Sequence, residues 1–80
     1  MPRLPQVSGE ALLRLLDSLG YRVVRQRGSH VRLTALTPSG EHHITVPLHR
    51  IIAKGTLSDI LSQVSLYTGM ARGELARRLG

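Results

Sequence analysis

No cysteine occurs in the 80 residues, which excludes disulfides, zinc–thiolate sites, thiol nucleophiles and iron–sulfur clusters. Its absence fits a reducing compartment without demanding one, because many exported proteins also lack cysteine. Phe and Trp are missing too, leaving Tyr21 and Tyr67 as the aromatic residues. Modules that read single strands on a sheet offer rings for bases to stack on, so an RRM or cold-shock reading is disfavoured. Acid is scarce and scattered, with Glu10, Asp17, Glu41, Asp59 and Glu74 standing singly. A two-metal nuclease would lack its oxygen ligands, and a glycosidase its paired acids. No apolar run approaches the ~18–20 residues that cross a bilayer. The opening Met1-Pro2-Arg3-Leu4-Pro5 lacks the long apolar stretch of a secretion signal. The expectation is a soluble cytoplasmic chain with no membrane partner.

What the chain has is positive charge. Eleven Lys+Arg face five Asp+Glu, a formal net charge of +6, and ten of the eleven cations are Arg. The planar guanidinium fork suits phosphate better than the point charge of lysine. A polyanion is the expected partner, against the plainer reading of a basic surface that only keeps the chain soluble. The length sets a single domain over residues 1–80 with a thin core, since a chain this short buries only ~60–65% of its unfolded surface.

Periodicity orders the elements. After an extended lead-in through Pro2 and Pro5, Ser8 suits a helix N-cap and Glu10 its first turn. Leu12, Leu15, Leu16 and Leu19 fall at i, i+3, i+4 and i+7, predicting a helix over about Gly9–Leu19 that Gly20 stops. Tyr21–Arg27 is β-branched and roughly alternating, hence a strand, and Gly28-Ser29 is a two-residue turn. In His30–Ala35, Val31, Leu33 and Ala35 face one way and His30, Arg32 and Thr34 the other, the pattern of a half-buried antiparallel strand. Thr37-Pro38-Ser39-Gly40 is a turn, and His42–Val46 is a third strand that Pro47 ends or places at an edge. Leu48–Gly55 reads as a loop carrying His49, Arg50 and Lys54. Thr56 is the expected N-cap of a second helix, with Asp59 three residues on and Leu57, Ile60, Leu61 and Val64 as its stripe. Thr68-Gly69 breaks the chain before a third, weaker helix over Met70–Leu79, with Ala71, Leu75 and Leu79 on one side. Arg72, Arg77 and Arg78 are expected to be solvated.

The fold class is therefore α+β. The order αβββα, a three-stranded antiparallel sheet with helices on one face, is the layout of double-stranded RNA-binding domains, here with an extra C-terminal helix. Its open face would carry His30, Arg32, Thr34, His43 and Thr45. Adjacent strand residues point to opposite faces, so His42 and His43 are not expected to share an ion.

Several ordered pieces carry a resemblance: Gly20-Tyr21; Arg25-Gln26-Arg27-Gly28-Ser29-His30; Val46-Pro47-Leu48-His49; Lys54-Gly55-Thr56-Leu57; and Ile60-Leu61. Over about residues 8–66 the chain resembles the HicA family of toxin mRNA interferases, small proteins of toxin–antitoxin pairs; residues 70–80 lie outside the likeness. The resemblance implies a double-stranded-RNA-binding-like fold, metal-independent endoribonuclease activity on mRNA with no cofactor, and neutralisation by a HicB-like antitoxin. It also implies that the histidine of the Gly-Ser-His element, His30, is catalytic.

The chemistry of the residues fits that implication. RNA carries its own nucleophile, the 2′-hydroxyl, so a nuclease without metal needs a base, an acid and cations around the phosphorane. Imidazole, with an unperturbed pKa of ~6.5, serves as the proton carrier near neutrality. Gly28 lets the backbone approach a phosphate, and Arg32, two residues beyond His30, shares its face. Arg27 and Lys54 are further candidate cations, and such crowding is expected to favour neutral His30. Ser29 either caps the turn or touches phosphate; His49 is either the second proton carrier or surface. Two other functions suit the composition: a double-stranded RNA-binding module that never cuts, and an inactive subunit that only binds antitoxin.

Overall fold

The computed structural model describes residues 4–79, so the first part of the expected lead-in, residues 1–3, lies outside them. The elements run α1 (Gly9–Ser18), β1 (Arg22–Arg27), β2 (His30–Thr37), β3 (Gly40–Pro47), α2 (Lys54–Thr68) and α3 (Arg72–Leu79). This is the expected α+β, αβββα-like arrangement, with its additional C-terminal helix. The sheet is an antiparallel meander in the order β1-β2-β3, leaving β1 and β3 as edges.

Local chemistry sets most boundaries. The Ser8 hydroxyl accepts the Ala11 N–H at 3.1 Å, satisfying one of the donors that every helix start leaves free. Leu12, Leu15 and Leu16 are buried along the inner face of α1, and Leu57, Ile60, Leu61 and Val64 along that of α2. These side chains meet Val31, Leu33, Ala35, Ile44 and Val46 of the sheet in one apolar cluster. Burying each of the leucine, isoleucine and valine side chains contributes roughly 1.5–3 kcal/mol relative to leaving it in water. The helices therefore cover one sheet face and leave the other open. No helix among the described residues is long and apolar enough to cross a membrane.

Four details differ from the sequence expectation. Helix α2 starts at Lys54, with Ala53 at the N-cap and no side-chain cap, rather than after Thr56. The cause is tertiary: Ile52 is buried and its N–H donates to the Val7 carbonyl at 2.8 Å, so the chain is anchored before the Thr56 signal is reached. Lys54 thus belongs to the helix and not to a loop. At the other end, Gly69 in the left-handed region (φ 78°) donates its N–H to Ser65 and closes the helix as expected. Helix α3 buries Leu75 and Ala76, while Ala71 stays exposed and caps the helix start by accepting the N–H groups of Glu74 and Leu75. Arg72 is half-buried rather than freely solvated: its guanidinium donates to the carbonyl and hydroxyl of Ser58, tying α3 to the first turns of α2.

Strand β1 is the fourth difference. All six of its residues are exposed. Arg22, Arg25 and Arg27 lie on the open face, and Val23 and Val24 are left exposed because the helices do not fully cover this edge. Its alternation is broken by a bulge: Arg22 pairs with Thr34 and Val23 with Leu33, but Arg25 then pairs with Arg32, leaving Val24 as the extra residue.

Candidate functional site

The centre of interest is the first rung of the open sheet face. Arg27 and His30 are paired across the Gly28-Ser29 turn, and His30 faces Pro47 on its other side. Gly28 has φ 58° while Ser29 is not in the left-handed region, the pattern of a type II′ hairpin, which asks for glycine at its first central position. The Leu48 N–H donates to the Ser29 carbonyl at 2.6 Å and stitches this turn to the end of β3. One residue later the His49 carbonyl accepts the Gly9 N–H at 2.9 Å, clamping the start of α1 to the same corner. The imidazole of His30 is thus carried by a braced, central strand while the ring itself stays exposed.

Around it lies a shallow depression of about 160 Å³ lined by Arg25, Arg27, His30, Arg32 and Thr45. Arg32 donates to the Thr45 hydroxyl at 3.4 Å, which spreads its guanidinium across the face. No carboxylate lines the depression. Glu41, on the same face four residues along β3, is engaged at 2.9 Å by His43. A histidine among three unneutralised arginines is an arrangement that attracts a phosphodiester and gives it a proton carrier.

The structure brings together three of the residues singled out from sequence, His30, Arg27 and Arg32, with Gly28 and Ser29 forming the adjoining turn. It does not bring in the other two. His49 is exposed beyond the end of β3 and Lys54 is exposed at the start of α2, both outside the depression. Arg25 joins the site unanticipated, although its two-residue spacing from Arg27 was the available signal. Thr45 was expected on this face but had no assigned role.

His42 and His43 part company as expected of adjacent strand residues. His42 points into the core, where the Tyr21 hydroxyl donates to its Nδ1 at 2.7 Å and its Nε2 lies 3.3 Å from Gln63 Oε1. Its ring stacks on Tyr67, with centroids 4.0 Å apart, and meets Tyr21 edge-on. Burial, and then the charge of an ionised Tyr67, raises the Tyr21 phenol above the usual tyrosine value. This cluster lies across the sheet from His30 and serves the core. Two larger concavities also lie on the helix side, one between α1 and α3 and one between α1 and β1. Neither contains an imidazole, so chemistry favours the smaller, open depression. Among the described residues no three His, Asp or Glu side chains converge as metal ligands.

A family model described as HicA toxin of bacterial toxin–antitoxin matches residues 9–66. The chain belongs to the HicA toxin family. It is accordingly a toxin of a toxin–antitoxin system, and an antitoxin partner follows from that membership. The HicA match takes in α1, the whole sheet and nearly all of α2, and therefore every residue of the depression; α3 lies beyond it. No curated protein and no solved structure matches the chain.

Proposed function

We propose that this HicA family member is an endoribonuclease that cleaves mRNA in the cytoplasm with His30 as its catalytic residue, without a metal ion. Neutral His30 takes the proton of a ribose 2′-hydroxyl. The 2′-oxygen bonds to phosphorus, the P–O5′ bond breaks, and the products are a 2′,3′-cyclic phosphate and a 5′-hydroxyl. Arg27 and Arg32 hold the non-bridging oxygens as charge builds on the phosphorane. The Gly28-Ser29 turn lets the backbone come close to the same phosphate. The departing 5′-oxygen needs a proton, for which His49 is the candidate carrier, and Lys54 extends the cationic ground for RNA. A HicB-like antitoxin neutralises the toxin by covering this face, where its acidic groups would meet the arginines.

The observation that carries the reading is an exposed imidazole on a braced central strand, ringed by arginines and free of carboxylate. The test compares the wild type with His30→Ala on an RNA substrate in EDTA. Cleavage by the wild type alone is expected. Equal cleavage by both, or activity that disappears only with the chelator, overturns the assignment. Salt-sensitive duplex binding with intact RNA would replace the enzyme by a binding module.

A further inference from the structure

The bulge at Val24 has a consequence for the open face. Arg22 and Arg27 are five positions apart, so in a regular strand they would point to opposite faces. The bulge removes the mismatch: Arg22 pairs with Thr34, Arg25 with Arg32 and Arg27 with His30, all outward-facing residues of β2. The same irregularity keeps Val23 beside buried Leu33 and lets Tyr21 enter the core. All three arginines of β1 therefore share the His30 face, one on each of three successive rungs. These rungs are about 6.6 Å apart, comparable to the spacing of neighbouring phosphates along a polynucleotide. Arg32 and Thr45 complete the second rung, Thr34 and His43 the third. On the fourth, Leu36 pairs with Glu41 and the cationic ground ends.

From this we infer that β1 is a phosphate track: Arg27, Arg25 and Arg22 contact three consecutive phosphates of one RNA strand, leading away from the bond at His30. The inference rests on reading this face as the RNA-binding one, and it adds Arg25 and Arg22 as binding residues with a footprint of three phosphates. The track makes a longer oligomer bind more tightly than a dinucleotide. It also makes position on the face, not net charge, the quantity that matters.

Binding is measured by fluorescence anisotropy in the cleavage-deficient His30→Ala background, with a labelled dinucleotide and an oligoribonucleotide of about six residues. Arg25→Gln and Arg22→Gln are each expected to weaken the longer RNA roughly three- to tenfold, the loss of one exposed charge-assisted contact. Each also lowers the slope of log affinity against log salt by about 0.7. The charge-conserving double substitution Arg25→Gln with Gln26→Arg moves the guanidinium to the other face, and it is expected to behave like Arg25→Gln alone. Circular dichroism and Tm confirm that these exposed changes leave the fold intact. Wild-type affinity in the double variant, or equal affinity for short and long RNA, overturns the track. The reading of His30 fails separately, if His30→Ala still cleaves, and a loss of binding in the β1 variants would then still stand.

Discussion

Gly9→Ala and Gly55→Ala add the same methyl group within the first turn of a helix, and the structure expects opposite signs. At Gly55 a Cβ meets nothing within 4 Å, so alanine's better helix propensity and stiffer unfolded chain give a gain of about 0.4–1 kcal/mol. At Gly9 the same carbon would press into the Pro47 carbonyl oxygen and lie 2.8 Å from the Leu48 Cα. Both are backbone atoms, so no side chain can swing aside. Overpacking of this kind costs roughly 1–3 kcal/mol, and a rigid obstacle puts Gly9 at the upper end. Subtracting up to ~1 kcal/mol of helix propensity leaves a net loss of about 2 kcal/mol. In a domain of this size that lowers Tm by roughly 8–16 °C. The strand end that must yield is the one whose Pro47 pairs with His30 and whose Leu48 N–H holds the Ser29 carbonyl. Cleavage should therefore fall roughly tenfold even at 25 °C, where the variant is still folded, since small misplacements of reacting groups are costly. Thermal melts and initial rates on one RNA substrate check both numbers. A Gly9→Ala protein that melts with the wild type and cuts at the wild-type rate refutes the close approach and its coupling to the site.

Three further outcomes follow from burial and proton affinity. His30→Ala should abolish cleavage while shifting stability by no more than ~0.5 kcal/mol, because the ring is exposed; a melt measures this beside the activity assay. His42→Ala should do the reverse of an active-site change, costing about 2–4 kcal/mol through the cavity and the buried, unpaired Tyr21 hydroxyl it leaves. Urea denaturation reads that cost. In the folded protein Tyr21 holds its proton above the ordinary value, so the unfolded chain ionises first as pH climbs. The Tyr21 contribution is complete below about pH 10 and is lost as pH rises through the folded value. Tyr21→Phe should flatten this alkaline decline in stability, at the cost of its hydrogen bond to His42. An unchanged slope above pH 10 would show that Tyr21 is not the group responsible.

Elements with a clean period were legible from sequence. The stripes Leu12-Leu15-Leu16 and Leu57-Ile60-Leu61-Val64 pack as their spacing required, and Val31-Leu33-Ala35 set the inner and outer faces of β2. Since His30 and Arg32 lie on β2, their sharing of an open face followed from a period of two. What escaped the sequence depends on contacts between distant segments. The start of α2 is fixed by Ile52 docking against Val7, which outweighs the capping signal at Thr56. Arg72 looks like a surface cation until Ser58 is brought beside it. The bulge at Val24 arises because Tyr21 is needed inside and Arg25 and Arg27 outside, a demand invisible without the partner strand.

The four histidines show why composition could not have ranked them. His30, His42, His43 and His49 are the same side chain in four surroundings: an arginine-lined depression, a tyrosine-walled core, a contact with Glu41 and an exposed loop. A proton carrier for RNA must be reachable, near a cation that grips phosphate, and not already committed to a carboxylate. Burial removes His42, and Glu41 removes His43. His49 is reachable but lies outside the cationic depression. His30 alone meets all three conditions. Its claim to the chemistry therefore rests on three independent physical facts about its surroundings as well as on the Gly-Ser-His pattern.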